Sequence, residues 1–283
     1  MINAGLLILI VSLLSADGVF SKTYNKRTGN KGAFIFCAIS CIAGCLYFLL
    51  SAGKLQFDIA VLPYTLMFAA AFATAILSEY MAVQTGPLSL SALALSYSLI
   101  IPTLFGVVYY HEKTSVFFFI GIVVMVISIF LVTLAKDEKK ISLKWAVFAG
   151  LAFLGNGICS TVQNVQQRVF EGAYKNELMI MALAIIAVVV LIVALRFERG
   201  TIKECVKKGA ILAVVKGASN GFMNFLVMVL SLRMAASLMY PMISVGSVLL
   251  STAIAAVFFK ERLSLSQNIG LGLGLCAIVL LNL

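Results

Sequence analysis

Three ionisable side chains interrupt long apolar stretches of the chain: Asp17, Glu79 and Lys216. A charged group inside a membrane is costly, so each of the three is a functional candidate. Asp17 and Glu79 are candidates for taking up and releasing a proton, and Lys216 is a candidate for contacting a ligand. The alternative is that the three residues pair with one another, or with charges in loops, and only hold helices together.

Two apolar stretches also carry stripes of amide and hydroxyl side chains. Such stripes can join helices, but four or five amides in one stretch are better explained by a water-filled cavity. Tyrosine rings near a cavity can stack on another ring or bind a cation, although they can also pack in a core. The predicted substrate-binding residues are Asn156, Ser160, Gln163, Lys216, Asn220, Asn224, Tyr97, Tyr240 and Ser244.

The remaining motifs indicate turns and helix packing, not catalysis. "YYHEK" at 109–113 offers too few ligands for a metal ion. "GASNG" at 217–221 matches a serine nucleophile pattern, but it lies in an apolar helical run far from His111, the only histidine. "GLGLG" at 270–274 follows no strand, so it predicts a close helix contact, within the chain or in a dimer. We therefore expect no catalytic residues and no metal.

The composition predicts a membrane protein made of helices. Of the 283 residues, 62% are hydrophobic and 11% are charged, whereas a soluble domain carries about 25% charged residues. Apolar stretches near 20 residues predict membrane-spanning helices, and the first of them is expected to be retained. Five of the six cysteines lie in these stretches, and Cys205 is expected in a loop. The predicted helices are 3–21, 32–52, 59–84, 88–110, 115–135, 144–166, 177–196, 209–232, 236–259 and 265–282.

The chain repeats itself. Sliding it by 149 residues aligns Glu112 with Glu261, and sliding it by 139 aligns Asp17 with Asn156. Because five is an odd number, two consecutive five-helix units cross a membrane in opposite directions, an arrangement typical of secondary transporters. The expected fold is an all-α polytopic membrane protein of ten transmembrane helices in two inverted repeats. The predicted units are residues 1–137, a basic linker at 138–143, and residues 144–283.

Both halves end their fourth helix in an aromatic-rich segment, continue with Glu and a basic residue, and open the next helix with Ile-Gly. In this doubled pattern the chain resembles the EamA-like domain of the drug/metabolite transporter superfamily, over essentially its whole length. The resemblance implies a ten-helix transporter whose eighth helix faces the cavity. The chain departs from the family at Asp17, where many members carry an aromatic residue, and at Ser251, where a proline is missing. Both positions shape the cavity in that family.

Two indicators of orientation disagree. Fifteen Lys and Arg residues lie in the loops that follow helices 1, 3, 5, 7 and 9, and five lie in the other loops. The positive-inside rule places the first set in the cytoplasm, and therefore both termini outside. The family resemblance implies that both termini are inside.

The expected function is secondary-active or facilitative transport of a small polar or amphipathic metabolite across the plasma membrane by alternating access. Proton coupling through Asp17 or Glu79 is possible, and no nucleotide-binding loop is present for direct use of ATP. The alternatives are a lipid or lipid-linked sugar translocator, an intramembrane enzyme and a membrane scaffold. We expect no cofactor and no nucleic-acid partner; the expected partners are the substrate and the lipid bilayer, with a monomer or a homodimer both open.

Overall fold

The computed structural model describes residues 2–85, 88–133, 142–258 and 264–281. These residues form eleven α-helices and a short 3-10 turn at Ile59–Val61. The helices are α1 Ile2–Thr28, α2 Ala33–Ser51, α3 Leu62–Thr85, α4 Leu88–Tyr97, α5 Ile100–Tyr109, α6 Val116–Thr133, α7 Leu143–Val169, α8 Lys175–Phe197, α9 Ile202–Ser231, α10 Ala236–Phe258 and α11 Leu265–Leu281.

Eight helical stretches among the described residues are long and apolar enough to cross a membrane, with α4 and α5 contributing one stretch together. Two shorter apolar helices are α6 and α11. Large apolar side chains such as Ile8, Val188 and Ile211 are exposed on the outer faces of the helices. Exposed apolar surface on this scale is unfavourable in water and favourable against lipid. These are the features of an integral membrane protein, as the composition predicts.

The fourth predicted helix, over 88–110, is not continuous. It is divided into α4 and α5 by a turn at Ser98 and Leu99. Pro102 explains the position of the break, because a proline lacks the N–H that would bond to the carbonyl four residues earlier, and its ring clashes with that carbonyl. The carbonyl in question belongs to Ser98. The prediction of one uninterrupted helix at this position is therefore wrong.

The eighth predicted helix begins earlier than expected. Helix α9 starts at Ile202 instead of residue 209, so Cys205 lies inside a helix and is buried, contrary to the loop prediction. Its Sγ atom lies 2.6 Å from where a Cβ atom on Gly32 would be, which places Cys205 against the turn between α1 and α2. "GASNG" lies within the same helix, as predicted, and not on a strand-to-helix turn.

Helix pairs that are distant in sequence form the core. Helix α2 packs on α8 and α9, α3 packs on α7, and α6 packs on α11. In the last pair the Ser128 hydroxyl donates to the Gly270 carbonyl at 2.7 Å, and a Cβ on Gly274 would lie 2.8 Å from the same hydroxyl oxygen. Gly270 and Gly274 of the "GLGLG" segment therefore make close contacts within the chain.

Helix α11 begins with a capping box, in which Ser264 and Gln267 satisfy each other's backbone N–H groups. The Gln267 side chain accepts from the Ser264 backbone N–H at 2.9 Å, and the Gln267 backbone N–H donates to the Ser264 hydroxyl at 3.3 Å. The second copy of the Glu-basic pattern, at 259–262, and most of the predicted linker at 138–143 lie outside the described residues.

Candidate functional site

A cavity of about 410 Å³ lies among α1, α2, α3, α7 and α9. Its charged lining residues are Glu79 on α3 and Lys216 on α9, and aromatic rings and the thiols of Cys37 and Cys41 line other parts of it. Glu79 is surrounded by protein, and yet its side chain is exposed because it faces this space. The cavity extends to Asn25 and Ala33, at the ends of α1 and α2, and so reaches one face of the helix bundle.

Glycines allow α2 and α9 to approach closely beside this cavity. A Cβ atom on Gly217 would lie 2.1 Å from the Ser40 carbonyl oxygen and 2.8 Å from the Ala43 Cβ atom. The Ser40 hydroxyl donates across the same contact to the Ala213 carbonyl at 3.0 Å. Because Lys216 and Asn220 flank Gly217 on α9, this contact sets the depth at which they enter the cavity.

A second cavity of about 180 Å³ continues towards the opposite face. The two cavities share Phe72, Asn156 and Asn220 as lining residues, so they meet at these side chains. Polar groups from α7, α9 and α10 line the smaller one: Ser160, Gln163, Asn224 and Tyr240.

Four side chains form an oriented chain of hydrogen bonds beside the two cavities. The Asn220 amide donates to Asp17 Oδ2 at 3.0 Å, and the Asn224 amide donates to Asn220 Oδ1 at 2.9 Å. The Gln163 amide then donates to Asn224 Oδ1 at 3.3 Å. An ionised carboxylate can only accept, so Asp17 dictates which way Asn220 points and thereby orients each amide in turn. The chain links α1, α9 and α7.

The break between α4 and α5 also faces this region. The Asn156 amide donates to the Ser98 hydroxyl at 2.6 Å. A Cβ atom on Gly157 would lie 2.8 Å from the Ser98 carbonyl oxygen, so α7 approaches the broken turn too closely for a larger residue. The turn that Pro102 causes is thus packed directly against the residue shared by the two cavities.

Glu112 closes the far end of the bundle. Its carboxylate accepts from the Ala236 and Ser237 backbone N–H groups at 2.9 and 2.8 Å and pairs with Arg168 at 2.6 Å. Arg168 also lies over the Tyr110 ring, 4.0 Å from its centroid. Burial alone would raise the pKa of the Glu112 carboxyl, but the two N–H groups and the guanidinium outweigh it and hold the pKa below its usual value.

This cluster lies between the smaller cavity and a surface depression of about 660 Å³ that Glu112, Arg168 and Arg233 help to line. One turn further into α10, the Tyr240 hydroxyl donates to the Ser160 carbonyl at 2.9 Å. Sequence reasoning treated "YYHEK" only as a turn and did not single out Arg168. A conspicuous Glu in both halves was the available signal, but its partners are distant in sequence.

A second carboxylate, that of Glu198, holds the start of α2 at the other face of the bundle. Glu198, which follows α8, accepts from the Phe34 N–H at 3.0 Å and from the Ile35 N–H at 2.9 Å. These are among the first N–H groups of α2, which no helical carbonyl can satisfy. Glu112 does the same for α10, so a buried carboxylate anchors one helix start at each face.

Seven of the nine predicted binding residues line the two cavities, and two do not. The Tyr97 hydroxyl donates to the Val126 carbonyl, and its ring packs with residues of α6, α10 and α11. The Ser244 hydroxyl donates to the Ser96 carbonyl at 2.7 Å. Both residues join helices instead of facing a cavity. Of the coupling candidates, Glu79 lines the larger cavity and Asp17 reaches it through Asn220.

The described part of the chain holds no group of three or more His, Cys, Asp or Glu side chains able to bind an ion. The chemistry that the cavities can offer is recognition: one acid, one base, several amides and a set of aromatic rings.

Comparisons with known proteins relate the chain by fold only. No protein-family model matches it, and no curated protein matches it. It is similar to a solved structure described only as "Crystal structure of protein", with a TM-score of 0.78 over 98% of this chain and 95% of that one. The two sequences are 14% identical, so the similarity concerns the arrangement of the helices.

Proposed function

We propose that the protein is a secondary-active or facilitative transporter of a small polar or amphipathic metabolite, working by alternating access. The observation that carries this proposal is a polar, charged cavity inside a bundle of apolar helices. It reaches one face at Asn25 and Ala33 and is closed towards the other by Tyr240 and the Glu112–Arg168 pair. An enclosed polar path that stops short of one face suits a site exposed to each side in turn.

The proposed architecture is ten transmembrane helices in two inverted repeats, with α4 and α5 together as the fourth and α6 and α11 as the fifth and tenth. The helix contacts support it, because exchanging the halves returns most of the same pairs, including the most extensive ones. The contact of α3 with α7 corresponds to that of α1 with α9, and the contact of α2 with α9 to that of α3 with α8. The pairs α2–α8, α5–α10 and α6–α11 correspond to themselves. The proposed halves are residues 1–137 and 144–283.

The larger cavity opens at the face that carries most of the basic residues. By the positive-inside rule this face is cytoplasmic, which puts both termini outside and leaves the cavity open inwards. The proposed location is the plasma membrane. Cys205 is buried, so it is not a suitable probe of this orientation. Lys54 and Arg233 are exposed on the opposite face, and a cysteine at either position would be a better one.

The experiment that tests alternating access is Ser160→Cys, in a variant whose six native cysteines are replaced by serine. Ser160 lines the smaller cavity, and its hydroxyl bonds only within α7, to the Asn156 carbonyl at 3.2 Å. A charged, membrane-impermeant methanethiosulfonate reagent should modify the introduced thiol when added to either side of sealed vesicles. In alternating access, the site is exposed to each side of the membrane for part of the time, so reagent on either side should reach it.

The matched control is Thr161→Cys, one position further along α7. The Thr161 hydroxyl bonds to the Gly157 carbonyl at 2.8 Å, and the residue lines neither cavity. It should stay unmodified from both sides. Modification of the Ser160→Cys variant from one side only, under every condition tried, would argue for a binding protein or scaffold and against a transporter.

A further inference from the structure

We propose that the larger cavity takes a small organic cation, whose ammonium group pairs with Glu79 and whose apolar part lies among aromatic rings. This inference rests on the proposed function and names the substrate class of the same cavity. It follows from the number of charges that face the cavity and from the partners that each of them already has.

Lys216 carries the one positive charge among the described residues that line the larger cavity, and it acts on two carboxylates. Lys216 precedes Asn220 by four residues on α9, so the two side chains share one helix face, and Asn220 donates to Asp17 at 3.0 Å. The amide chain through Asn224 fixes Asn220 as the donor to Asp17. Lys216 acts electrostatically on Asp17 and also on Glu79, but it has one charge for two carboxylates.

Of the two carboxylates, Asp17 accepts a hydrogen bond from Asn220, and Glu79 is the one left without a direct partner among the described residues. Within the described part of the chain its carboxylate has no hydrogen bond and no ion pair, although it is enclosed by protein. A charge kept inside a membrane protein without a partner is costly. A bound cation would supply the missing partner, whereas a bound anion would add a second negative charge to the same space.

Aromatic rings around Glu79 suit the rest of such a molecule. The rings of Phe34 and Tyr80 lie 4.4 Å apart at an angle of 50°, and both line the cavity together with Phe36 and Phe72. Ring faces attract organic cations, and here the Lys216 ammonium already lies 5.5 Å from the centre of Phe36. A volume of about 410 Å³ is within the range of small-molecule sites.

The test uses four ligands that share a phenyl ring and differ in charge: 2-phenylethylamine, 2-phenylethanol, phenylacetate and zwitterionic phenylalanine. Isothermal titration calorimetry on the full-length protein in detergent should show that the amine binds best. It should bind roughly ten- to a hundredfold more tightly than the alcohol, as expected for one charge-assisted hydrogen bond. Equal binding of amine and alcohol, or stronger binding of the carboxylate or of zwitterionic phenylalanine, would overturn the inference. This comparison needs no variant protein.

Glu79→Gln should remove the advantage of the amine over the alcohol. The control is Glu204→Gln, because Glu204 pairs with Lys208 on the exposed side of α9 and lines neither cavity. Loss of the preference in both variants, or in neither, would contradict the assignment to Glu79. Should Glu79→Gln fail to fold, Glu79→Asp keeps the charge and should keep the preference.

Native cysteines report where the amine binds. Cys37 lines the larger cavity, whereas Cys276 is exposed on α11. Bound amine should slow the alkylation of Cys37 by N-ethylmaleimide and leave that of Cys276 unchanged. Protection of neither thiol would place the amine elsewhere and contradict the proposal.

The substrate class and the transport function can fail separately. An amine that binds at Glu79 without crossing the membrane contradicts transport, and flux of another compound without amine binding contradicts the substrate class.

Discussion

Glu112 shows how one residue in a loop can hold two halves of the bundle together. It follows α5 in the first half, and its partners are Arg168 at the end of α7 and the first N–H groups of α10 in the second half. Only 9% of its side chain is exposed, so the interactions are weakly screened by solvent. Removing one member of such a cluster leaves the others without their partner.

The pKa of Glu112 is lower in the folded protein than in the unfolded chain, because the Ser237 and Ala236 N–H groups and Arg168 more than offset its burial. Its stabilising contribution is therefore fully present above the unfolded pKa, about 4.3. That contribution is lost as pH falls through the lower, folded value. Glu112→Gln should cost about 2 kcal/mol at pH 7, and the cost should shrink below about pH 4.

Thermal unfolding of wild type and Glu112→Gln in detergent, between pH 3 and pH 7, measures this difference. Glu171→Gln is the control, since Glu171 is exposed near the same surface depression; it should unfold like wild type throughout. A gap between Glu112→Gln and wild type that does not change with pH would show that the carboxylate charge is not what stabilises the cluster.

At the residue scale, side-chain spacing selected seven binding residues that do line the cavities. The interval of four between Lys216, Asn220 and Asn224 was enough, because a helix returns to the same face at that interval. Tyr97 and Ser244 also lie in predicted helices, but which way each one faces depends on the neighbouring helices. Arg168 could not have been selected from the sequence, because at a helix end it looks like any residue in contact with water.

At the scale of helices, the close contact of α2 with α9 depends on a missing side chain. Gly217→Ala should destabilise the protein by about 2 kcal/mol, because its methyl group would meet the Ser40 carbonyl, a backbone atom that can move only with the helix. The separation should also weaken ligand binding, since Lys216 and Asn220 would be displaced from the cavity.

Gly150→Ala is the matched control, because Gly150 is also inside a helix, and a Cβ atom there would have no heavy atom within 4 Å. Alanine is the better helix former, so this variant should be neutral or slightly stabilised. Thermal unfolding of both variants in detergent gives the comparison. Equal stability of Gly217→Ala and Gly150→Ala would mean that the contact between α2 and α9 is looser than described.

The sequence predicts a helix boundary well where the composition changes sharply. It predicts a boundary poorly where contacts with other helices determine the end of the helix. Apolar length located the spans, but α9 begins about two turns earlier, in a basic segment that the sequence suggested was a loop. Pro102 was visible, although a proline inside a span can either bend a helix or end it. The close approach of Gly157 to Ser98 is consistent with a helix that ends before the proline. The sequence could not show this, because the approach depends on tertiary contacts.

For the whole molecule, the prediction of an all-helical, membrane-type fold is confirmed over the described residues, eight stretches of which are helical, long and apolar enough to cross a membrane. The substrate could not follow from the sequence, because the charge balance around Glu79 depends on which partner Lys216 takes, and those residues lie on three different helices.

Flux through the protein tests the central claim most directly. The purified chain would be reconstituted into liposomes, and radiolabelled compounds that bind it would be followed in counterflow. We expect saturable, protein-dependent exchange of at least one of them. Exchange should be abolished by Asn156→Trp, which places a large ring where the two cavities meet. If compounds that bind the protein cross no faster than in protein-free liposomes, or if Asn156→Trp leaves their flux unchanged, transport through this cavity is contradicted.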